Sequence, residues 1–305
     1  MKHLLDIGDL SSSEINDLII LSKKLKEEQK NGVSHHLCKG KTLGMIFTKS
    51  STRTRVSFET GIYQLGGYPL FLSSNDIQLG RGETISDTAK TLSRYIDGIM
   101  IRTFKQSDVE DLARYGSVPV INGLTDLMHP CQILADLFTI YEYKGDLKGL
   151  KLAYVGDGNN VANSLLQGCV KAGMDISVAT PGGFECDAKI STFAVEESKS
   201  MGSKVSLCES PEEAVSGADV VYTDTWISMG KESEKENRIK TFMPYQVNTQ
   251  LMSKAKNNAI FMHCLPAYRG YEVTAEVIDG PHSVVFDEAE NRLHVQKAVM
   301  AMLMG

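Results

Sequence analysis

A run of hydroxyl and guanidinium side chains interrupts an apolar pattern between residues 47 and 59. The stretch reads FTKSSTRTRVSFE, and every side chain from Ser50 to Arg55 is a hydroxyl or a guanidinium. It follows the apolar segment TLGMIF and precedes an amphipathic segment, which is typical of a turn that joins a strand to a helix. Such a turn offers free backbone N–H groups, and arginine adds bidentate donors, so the pattern favours binding of a phosphate-like anion.

The simplest alternative for this turn is a solvated helix cap with two surface arginines. Two residues at the ends of neighbouring predicted strands weigh against this alternative. Arg102 lies near the end of the apolar segment GIMIRT, and His129 follows the segment VPVIN. A lone histidine is more often structural, but an imidazole at that place could donate to a polarised carbonyl oxygen. The P-loop spacing, GxxxxGK followed by Ser or Thr, is absent, so a nucleoside triphosphate is not expected. A small phosphorylated molecule fits these residues better.

Further polar groups follow apolar segments in the second half of the chain. Asp224, in DTWISMG, is an anion suited to an ammonium group, and Ser228 with the turn backbone could hold a carboxylate or an amine. Asn159 and Asn160, in GDGNN, could hold polar groups of a substrate, and Cys264 ends the apolar segment AIFMHC. Each has a structural alternative: an N-cap aspartate, an asparagine-rich turn and an inert core thiol.

The glycine spacing in GDGNNVANSL invites comparison with dinucleotide-binding turns. Gly156 and Gly158 match the first two glycines of that pattern, but Val161 occupies the position that needs Gly or Ala. The next apolar segment ends in VATPGG, without the acidic residue that would bind a ribose. NAD binding is therefore rejected.

The composition excludes several other classes. The chain has 305 residues and a net charge of −6, which argues against nucleic acid as the main partner. Its six cysteines include no CxxC pair, so neither a zinc site nor a disulfide framework is indicated, and a reducing, cytoplasmic setting fits best. The N-terminus does not resemble a signal peptide, and no apolar stretch approaches the roughly 20 residues of a membrane span.

Short apolar segments alternate with helical patterns along the whole chain. Helices are predicted over residues 11–30, 54–65, 85–96, 107–115, 131–145 and 288–304, with capping-box spacing at Ser11–Glu14 and Ser107–Glu110. Strands are predicted over residues 42–47, 68–73, 98–103, 118–122, 150–156, 175–180, 203–208, 219–224 and 259–264. This alternation predicts βαβ units and mostly parallel sheets. The charged run KESEKENRIK is expected to be a solvated, mobile face.

The two series of strands suggest two domains, with a boundary near residues 145–149. In open α/β sheets, ligands bind beyond the carboxyl ends of the strands. The turn at 51–55, Arg102 and His129 follow strands of the first series, and Asp224 follows a strand of the second. Polar groups therefore cluster where a ligand is expected, and agreement among separate segments is stronger than any one motif.

Together these segments resemble the ornithine carbamoyltransferase family over nearly the whole chain. The matching motifs are, in chain order, STRTR (51–55), RTF (102–104), HPCQ (129–132), DGNN (157–160), DTWISMG (224–230), HCLP (263–266) and ENR (290–292). STRTR and HPCQ also resemble aspartate carbamoyltransferases, so these two motifs specify only a carbamoyl-phosphate half. SMG and HCLP indicate ornithine as the acceptor.

The resemblance implies an α/β fold of two domains, each a mostly parallel sheet flanked by helices, with a C-terminal helix that packs back on the first domain. Residues 1–145 with the helix 288–305 would bind carbamoyl phosphate, and residues 146–287 would bind ornithine. The implied assembly is a homo-oligomer, a trimer or a multiple of trimers. No metal and no organic cofactor is expected, because the sequence shows no ligand cluster and electrostatics with positioning suffices for the reaction.

The binding residues of the family carry over to matching positions. Carbamoyl phosphate would contact Ser51, Thr52, Arg53, Thr54, Arg102, His129, Gln132, Cys264, Leu265 and Arg292. Gln78, in IQLGRGET, matches a position that the neighbouring subunit supplies in this family. Ornithine would contact Asn160, Asp224, Ser228 and Met229. The catalytic group would be Thr54, Arg102, His129 and Cys264.

The expected activity is transfer of the carbamoyl group from carbamoyl phosphate to the δ-amine of L-ornithine, in arginine metabolism. One alternative changes only the acceptor, to putrescine or an N-acylated ornithine, and would leave Asp224 or the SMG turn without a partner on the substrate. Another is a non-catalytic binding protein of the same fold. The intact set of charged groups at the strand ends argues against that alternative.

Overall fold

The computed structural model describes residues 1–228 and 230–305, apart from the side chains of residues 80, 81 and 232. Its strands are β1 (Thr42–Phe47), β2 (Tyr68–Ser73), β3 (Gly98–Arg102), β4 (Val120–Leu124), β5 (Lys151–Val155), β6 (Asp175–Ala179), β7 (Val205–Cys208), β8 (Val220–Tyr222) and β9 (Ile260–Met262). Its helices are α1 (Ser12–Lys30), α2 (Thr52–Gln64), α3 (Ile85–Leu92), α4 (Gln106–Tyr115), α5 (Pro130–Lys144), α6 (Asn160–Lys171), α7 (Ala188–Met201), α8 (Pro211–Val215), α9 (Lys235–Phe242), α10 (Thr249–Met252), α11 (Ala275–Ile278) and α12 (Val285–Met304). The chain forms two compact units, which are unit 1 (residues 1–138 and 290–305) and unit 2 (residues 139–289).

Unit 1 contains a parallel sheet in the order β2–β1–β3–β4. Thr42 of β1 pairs with Tyr68 of β2, and Leu43 of β1 pairs with Gly98 of β3. Strand β3 is buried along its whole length, as expected for a central strand that is covered on both faces. Because the strands run in one direction, the residues that follow β1, β3 and β4 come to the same edge of the sheet. The predicted parallel arrangement is confirmed.

Helix α2 places the STRTR turn in its own first turn. The helix begins at Thr52, two residues before the predicted start, because Ser51 is its N-cap. The Ser51 hydroxyl accepts a hydrogen bond from the Thr54 N–H at 3.2 Å. Such a cap satisfies one of the otherwise unpaired donors of a helix start. The hydroxyl and guanidinium run therefore lies at the positive end of a helix dipole, directly after strand β1.

The C-terminal helix α12 packs on other elements of unit 1 from residue 290 onward, as predicted. Asn291 accepts a hydrogen bond from the buried Lys26 ammonium of α1 at 2.8 Å. Lys297 is fully buried and donates to Gln29 at 2.7 Å and to Gln64 at 3.1 Å. These contacts fix the C-terminal helix along α1 and α2, and with it Arg292.

Unit 2 contains a second parallel sheet, in the order β7–β6–β5–β8–β9. Helix α6 crosses from β5 to β6 and buries its residues from Val161 to Val170. The Asn159 side chain caps α6, since its Oδ1 accepts from the N–H groups of Val161 at 2.9 Å and Ala162 at 3.2 Å. The turn after β5 is therefore held by a polar side chain. Among the helices in the described residues, none combines the length and apolarity that a membrane crossing requires.

Two predicted details of unit 1 are wrong. Strand β4 lies two residues later than predicted, and the N-terminal segment pairs beside it: the Leu4 N–H donates to the Val120 carbonyl at 2.9 Å. Helix α4 begins at Gln106 after Lys105, without a side-chain cap, so Ser107 lies inside the helix and the predicted capping box is absent. The Ser11–Glu14 capping box of α1 is confirmed.

Candidate active site

In unit 1, two buried arginines converge on the Thr54 hydroxyl. Thr54 Oγ1 accepts from Arg102 Nη1 at 3.5 Å and from Arg292 Nη2 at 3.3 Å. The exposed fractions are 1% for Thr54, 7% for Arg102 and 4% for Arg292, so both guanidinium charges are held out of solvent. Two guanidinium charges beside one hydroxyl are suited to a small anion. The structure thus brings together three residues that the sequence places far apart.

Gln132 holds Arg292 in this position. Gln132 Oε1 accepts from Arg292 Nη1 at 2.5 Å, and Gln132 Nε2 donates to Asp136 Oδ1 at 2.8 Å. Gln132 and Asp136 are one turn apart on α5, and both are buried. The chain Asp136–Gln132–Arg292 fixes the direction in which the guanidinium points, as expected for a polar network inside a protein.

His129 lies immediately before α5 and is 5% exposed. Burial lowers the pKa of His129 well below 6.5, and the nearby charges of Arg292, Arg102, Arg53 and Lys49 lower it further. The imidazole is therefore neutral at neutral pH, because a proton on it would add to a cluster of positive charges. A neutral imidazole can donate one hydrogen bond to a carbonyl oxygen without competing for the anion.

A cavity lies beside the turn that begins α2. Thr52 and Arg53 are exposed in the first turn of α2. A cavity of about 540 Å³ is lined by Phe47, Thr48, Ser50, Ser51, Thr52, Arg55, Val56, Phe71, Ser73, Ser74 and Asn75. The exposed hydroxyl and guanidinium donors in the first turn of α2 are suited to a phosphate group. Lys49, directly before Ser50, adds a positive charge near His129 that the sequence did not indicate, and it pairs with Asp126 at 3.0 Å.

Gln78 does not belong to this cluster within the chain. It begins a short 3-10 helix, Gln78–Arg81, and its side chain is exposed. The role predicted for Gln78, in the site of a neighbouring subunit, stays a prediction.

In unit 2, Asp224 collects donors at the carboxyl end of the sheet. Its carboxylate accepts from Asn159 Nδ2 at 2.8 Å, from the Thr225 N–H at 2.8 Å and from Cys264 Sγ at 3.1 Å. Asp224 is 5% exposed. An ammonium group is the natural further partner of a buried carboxylate that neutral donors surround. The predicted neighbours Asp224 and Cys264 are thus in direct contact.

Two other predicted ornithine residues, Asn160 and Ser228, lie in the segments that follow β5 and β8. Asn160 is the first residue of α6 and half-buried, and Ser228 is half-buried after the Trp226 turn. Met229 lies outside the described residues. Asn159, which the sequence suggested together with Asn160 for polar groups of a substrate, links these two segments through its hydrogen bond to Asp224.

The HCLP turn is fixed by a buried histidine. His263 Nδ1 accepts from the Leu265 N–H at 2.9 Å, and His263 Nε2 faces Glu272 Oε1 at 3.2 Å. Both His263 and Glu272 are fully buried. Because Nδ1 accepts, Nε2 carries the proton and donates to Glu272. This pair holds Leu265 at a φ of 55°, an unusual value for a branched side chain.

Asp224, His263 and Cys264 lie close enough together for a metal site, but the hydrogen bonds of His263 argue against one. Atoms of Asp224, His263 and Cys264 that could bind a metal lie within 4.8 Å of one another. Both ring nitrogens of His263 are already used, by Leu265 and by Glu272. A metal would need one of these nitrogens free, so no metal is assigned to these residues.

Arg238 is a buried residue beside the Asp224 turn that the sequence did not indicate. It belongs to KESEKENRIK, which was predicted to be a solvated face, and this prediction is wrong for Arg238, which is only 4% exposed. Its guanidinium donates to the Trp226 carbonyl at 2.5 Å and forms an ion pair with Asp157. Burial raises the pKa of the Asp157 carboxyl to about 6, although Arg238 acts in the opposite direction. One arginine between two lysine- and glutamate-rich turns gives no local signal of burial.

Comparison with known proteins identifies the class that this fold and site define. The carbamoyl-P binding domain of the aspartate/ornithine carbamoyltransferases matches residues 2–142, and their Asp/Orn binding domain matches residues 148–303. The chain belongs to the aspartate/ornithine carbamoyltransferase family.

Its similar relatives carry one particular name within that family. An ornithine carbamoyltransferase of Carboxydothermus hydrogenoformans is 60% identical over 304 residues, which cover 100% of this chain and 98% of that protein. One of Caldicellulosiruptor saccharolyticus is 61% identical over 303 residues, covering 99% and 98%. The solved structure of ornithine carbamoyltransferase from Pyrococcus furiosus superposes with a TM-score of 0.97 at 55% identity, covering 100% of this chain and 97% of that one. The resemblance stated from the motifs is confirmed.

Proposed function

We propose that the protein transfers the carbamoyl group of carbamoyl phosphate to the δ-amine of L-ornithine, giving L-citrulline and phosphate. The observation that carries this proposal is the convergence of Arg102 and Arg292 on Thr54, in a chain of this family. The amine nitrogen forms a bond to the carbonyl carbon, the bond from that carbon to the phosphate oxygen breaks, and the amine loses one proton. Phosphate leaves with the electron pair of the broken bond.

Unit 1 is proposed to bind and polarise carbamoyl phosphate. Thr54, Arg102 and His129 would stabilise the oxyanion of the tetrahedral intermediate, each well-placed donor contributing about 3 kcal/mol. Their burial supports this role, because charges act more strongly away from water. The groups assigned to the departing phosphate are Ser51, Thr52, Arg53 and the first-turn N–H groups, with Gln132 and Arg292 beside them.

Unit 2 is proposed to bind ornithine. Asp224 would pair with the α-ammonium, which a buried carboxylate surrounded by neutral donors supports. The groups assigned to the carboxylate end are Asn160, Ser228 and Met229. Cys264 would align the δ-nitrogen, and Leu265 with Cys264 would contact the carbamoyl group.

The same proposal includes assembly, location and pathway. It divides the chain into residues 1–145 with 288–305 for carbamoyl phosphate and residues 146–287 for ornithine. A trimer, or a multiple of trimers, would allow Gln78 of a neighbouring subunit to complete each phosphate site. The proposed pathway is arginine biosynthesis. A cytoplasmic location is supported by the six free thiols, which suit a reducing compartment.

An acceptor assay tests the proposal against its alternatives. The purified protein is incubated with carbamoyl phosphate and ornithine, putrescine or N-acetylornithine, and the ureido product is measured colorimetrically. Ornithine should give the highest kcat/KM by a wide margin, because only ornithine carries both α groups and a δ-amine. Higher activity with another amine would support that acceptor, and bound carbamoyl phosphate without turnover would support a binding protein.

The rate should rise with pH from 6 to 9. An aliphatic amine has a pKa near 10, so the neutral form that attacks the carbonyl becomes more abundant across this range. The pKa of His129 is lowered well below 6.5 by burial and the nearby arginines, so His129 is already neutral throughout and adds no inflection. The kcat/KM for ornithine should therefore increase steadily, and a slower His129→Asn variant should show the same profile shape. A flat profile would contradict attack by the free amine.

A further inference from the structure

Arg238 connects the two turns of unit 2 that carry the proposed ornithine-binding groups. Its Nε donates to the Trp226 carbonyl at 2.5 Å, and its Nη2 forms an ion pair with Asp157. Trp226 lies midway between Asp224 and Ser228. Asp157 follows strand β5 and lies three residues before Asn160. One guanidinium therefore crosslinks the backbone of one turn to a side chain of the other.

The surroundings of Arg238 leave its guanidinium little freedom. The guanidinium carbon lies 5.0 Å from the centre of the Phe184 ring and 5.1 Å from that of Phe242. The Trp226 ring stacks on Phe242, with ring centres 5.8 Å apart. Aromatic faces attract a guanidinium and exclude water from it. The crosslink is therefore rigid, in contrast to an arginine on the surface.

A second link between the same two turns runs in parallel with Arg238. Asn159 caps α6 through its Oδ1 and donates through its Nδ2 to Asp224 at 2.8 Å. Asn159 holds the turn of residues 224–228 at its start, Asp224, whereas Arg238 holds the same turn at its middle, Trp226. Two links at different points set the separation and the angle of the turns. One link alone would leave the turn free to pivot about Asp224.

From this geometry we infer that Arg238 is a positioning residue for the amino-acid end of ornithine: it sets the distance between the group that binds the α-ammonium and the groups that bind the α-carboxylate. The inference rests on the proposed function. Each of the three guanidinium nitrogens of Arg238 has a partner in the protein, at Trp226, Asp157 or, at 3.4 Å, Glu234. Arg238 therefore acts through the turns, and a small displacement of one turn weakens both interactions at the α-carbon.

The experiment measures which part of ornithine loses affinity. In Arg238→Gln, the KM for ornithine should rise at least tenfold, the KM for carbamoyl phosphate should change less than twofold, and kcat should fall less than the KM for ornithine rises. L-Norvaline, which has the α groups of ornithine but no δ-amine, serves as a competitive probe. Its inhibition constant should rise by the same factor as the KM for ornithine. A residue that only stabilises the fold would lower the melting temperature without this selective loss.

Two more variants keep the test decisive. Arg238→Lys keeps the charge near Asp157 but loses the planar donor to Trp226, so the norvaline constant should rise by an intermediate factor. Asp157→Asn breaks the link from its other end and should act in the same direction if Arg238→Gln does not fold. The matched control is Lys256→Gln. This change removes the 2.8 Å ion pair between Lys256 and Asp219, which lies at the end of the sheet opposite to Asp224.

The outcomes separate this inference from the proposed function. An unmodified protein that makes no citrulline from ornithine would remove both. A second result would be an active unmodified protein whose Arg238→Gln and Arg238→Lys variants keep its inhibition constant for norvaline within twofold. This result would overturn the inference about Arg238 but not the proposed function. Equal losses in Lys256→Gln would also overturn it, because they would show a general loss of stability in unit 2.

Discussion

Replacing Arg53 by glycine should remove nearly all carbamoyl transfer. The expected loss in kcat/KM for carbamoyl phosphate is on the order of 1,000-fold, which corresponds to about 4 kcal/mol. Arg53 is an exposed guanidinium in the first turn of α2, at the positive end of the helix. A guanidinium can bind a phosphate through two parallel hydrogen bonds, so its loss removes both charge and geometry.

The measurement combines steady-state kinetics with calorimetric binding of inorganic phosphate. Arg53→Gly should weaken phosphate binding and turnover together. Arg53→Lys should fall between the two proteins, because an ammonium keeps the charge but not the fork of donors. The control Arg114→Gly places the same substitution at an exposed position near the end of α4, where Arg114 pairs only with Asp111 among the described residues. Near-normal activity of Arg53→Gly would rule out the phosphate assignment.

Much of the anion site was predictable because each group follows a strand of one parallel sheet. The apolar segments before Ser51, Arg102 and His129 are short, buried and nearly free of charge, so their ends were readable within about two residues. Once the strands are parallel, the chemistry at their carboxyl ends has to meet at one edge of the sheet. The place of Arg292 was different, because it follows no strand and on its own would be interpreted as a surface residue.

Other features depended on contacts that have no local signal. Strand β4 is shifted because the N-terminal residue Leu4 pairs beside it, a contact between distant parts of the chain. Helix α4 begins at Gln106, whose side-chain Oε1 accepts from Thr125 at 2.8 Å, a tie that no capping pattern shows. Tertiary contacts of this kind outweigh local propensity at helix ends, where several starts differ little in energy.

The burial of Arg238 also depends on contacts that the local sequence does not indicate. Its neighbours Lys235, Glu236 and Lys240 are exposed, and a run of alternating charges usually marks a solvated face. Arg238 is buried because its position on α9 faces Phe184 and Phe242, which lie far from it in sequence or a full turn away. Helical periodicity could separate the faces of a long helix, but α9 has only eight residues.

Replacing Asp224 by asparagine should raise the KM for ornithine on the order of 100-fold while changing that for carbamoyl phosphate less than twofold. A buried carboxylate that loses its charge forfeits about 3 kcal/mol of attraction to an ammonium group. Asparagine keeps the shape, but one of its two acceptors becomes a donor. The Asn159 and Cys264 donors then compete for the single oxygen that remains.

The comparison that isolates this charge uses a second buried carboxylate of unit 2. Asp219 accepts from Lys256 at 2.8 Å and from the Lys151 N–H at 3.0 Å, before strand β8, at the opposite edge of the sheet from Asp224. Asp219→Asn should lower the melting temperature of the protein but leave both KM values within twofold. Asp224→Asn should instead weaken L-norvaline in proportion to ornithine, because the two share the α-ammonium. Equal effects of Asp224→Asn on both substrates would contradict its assignment to ornithine.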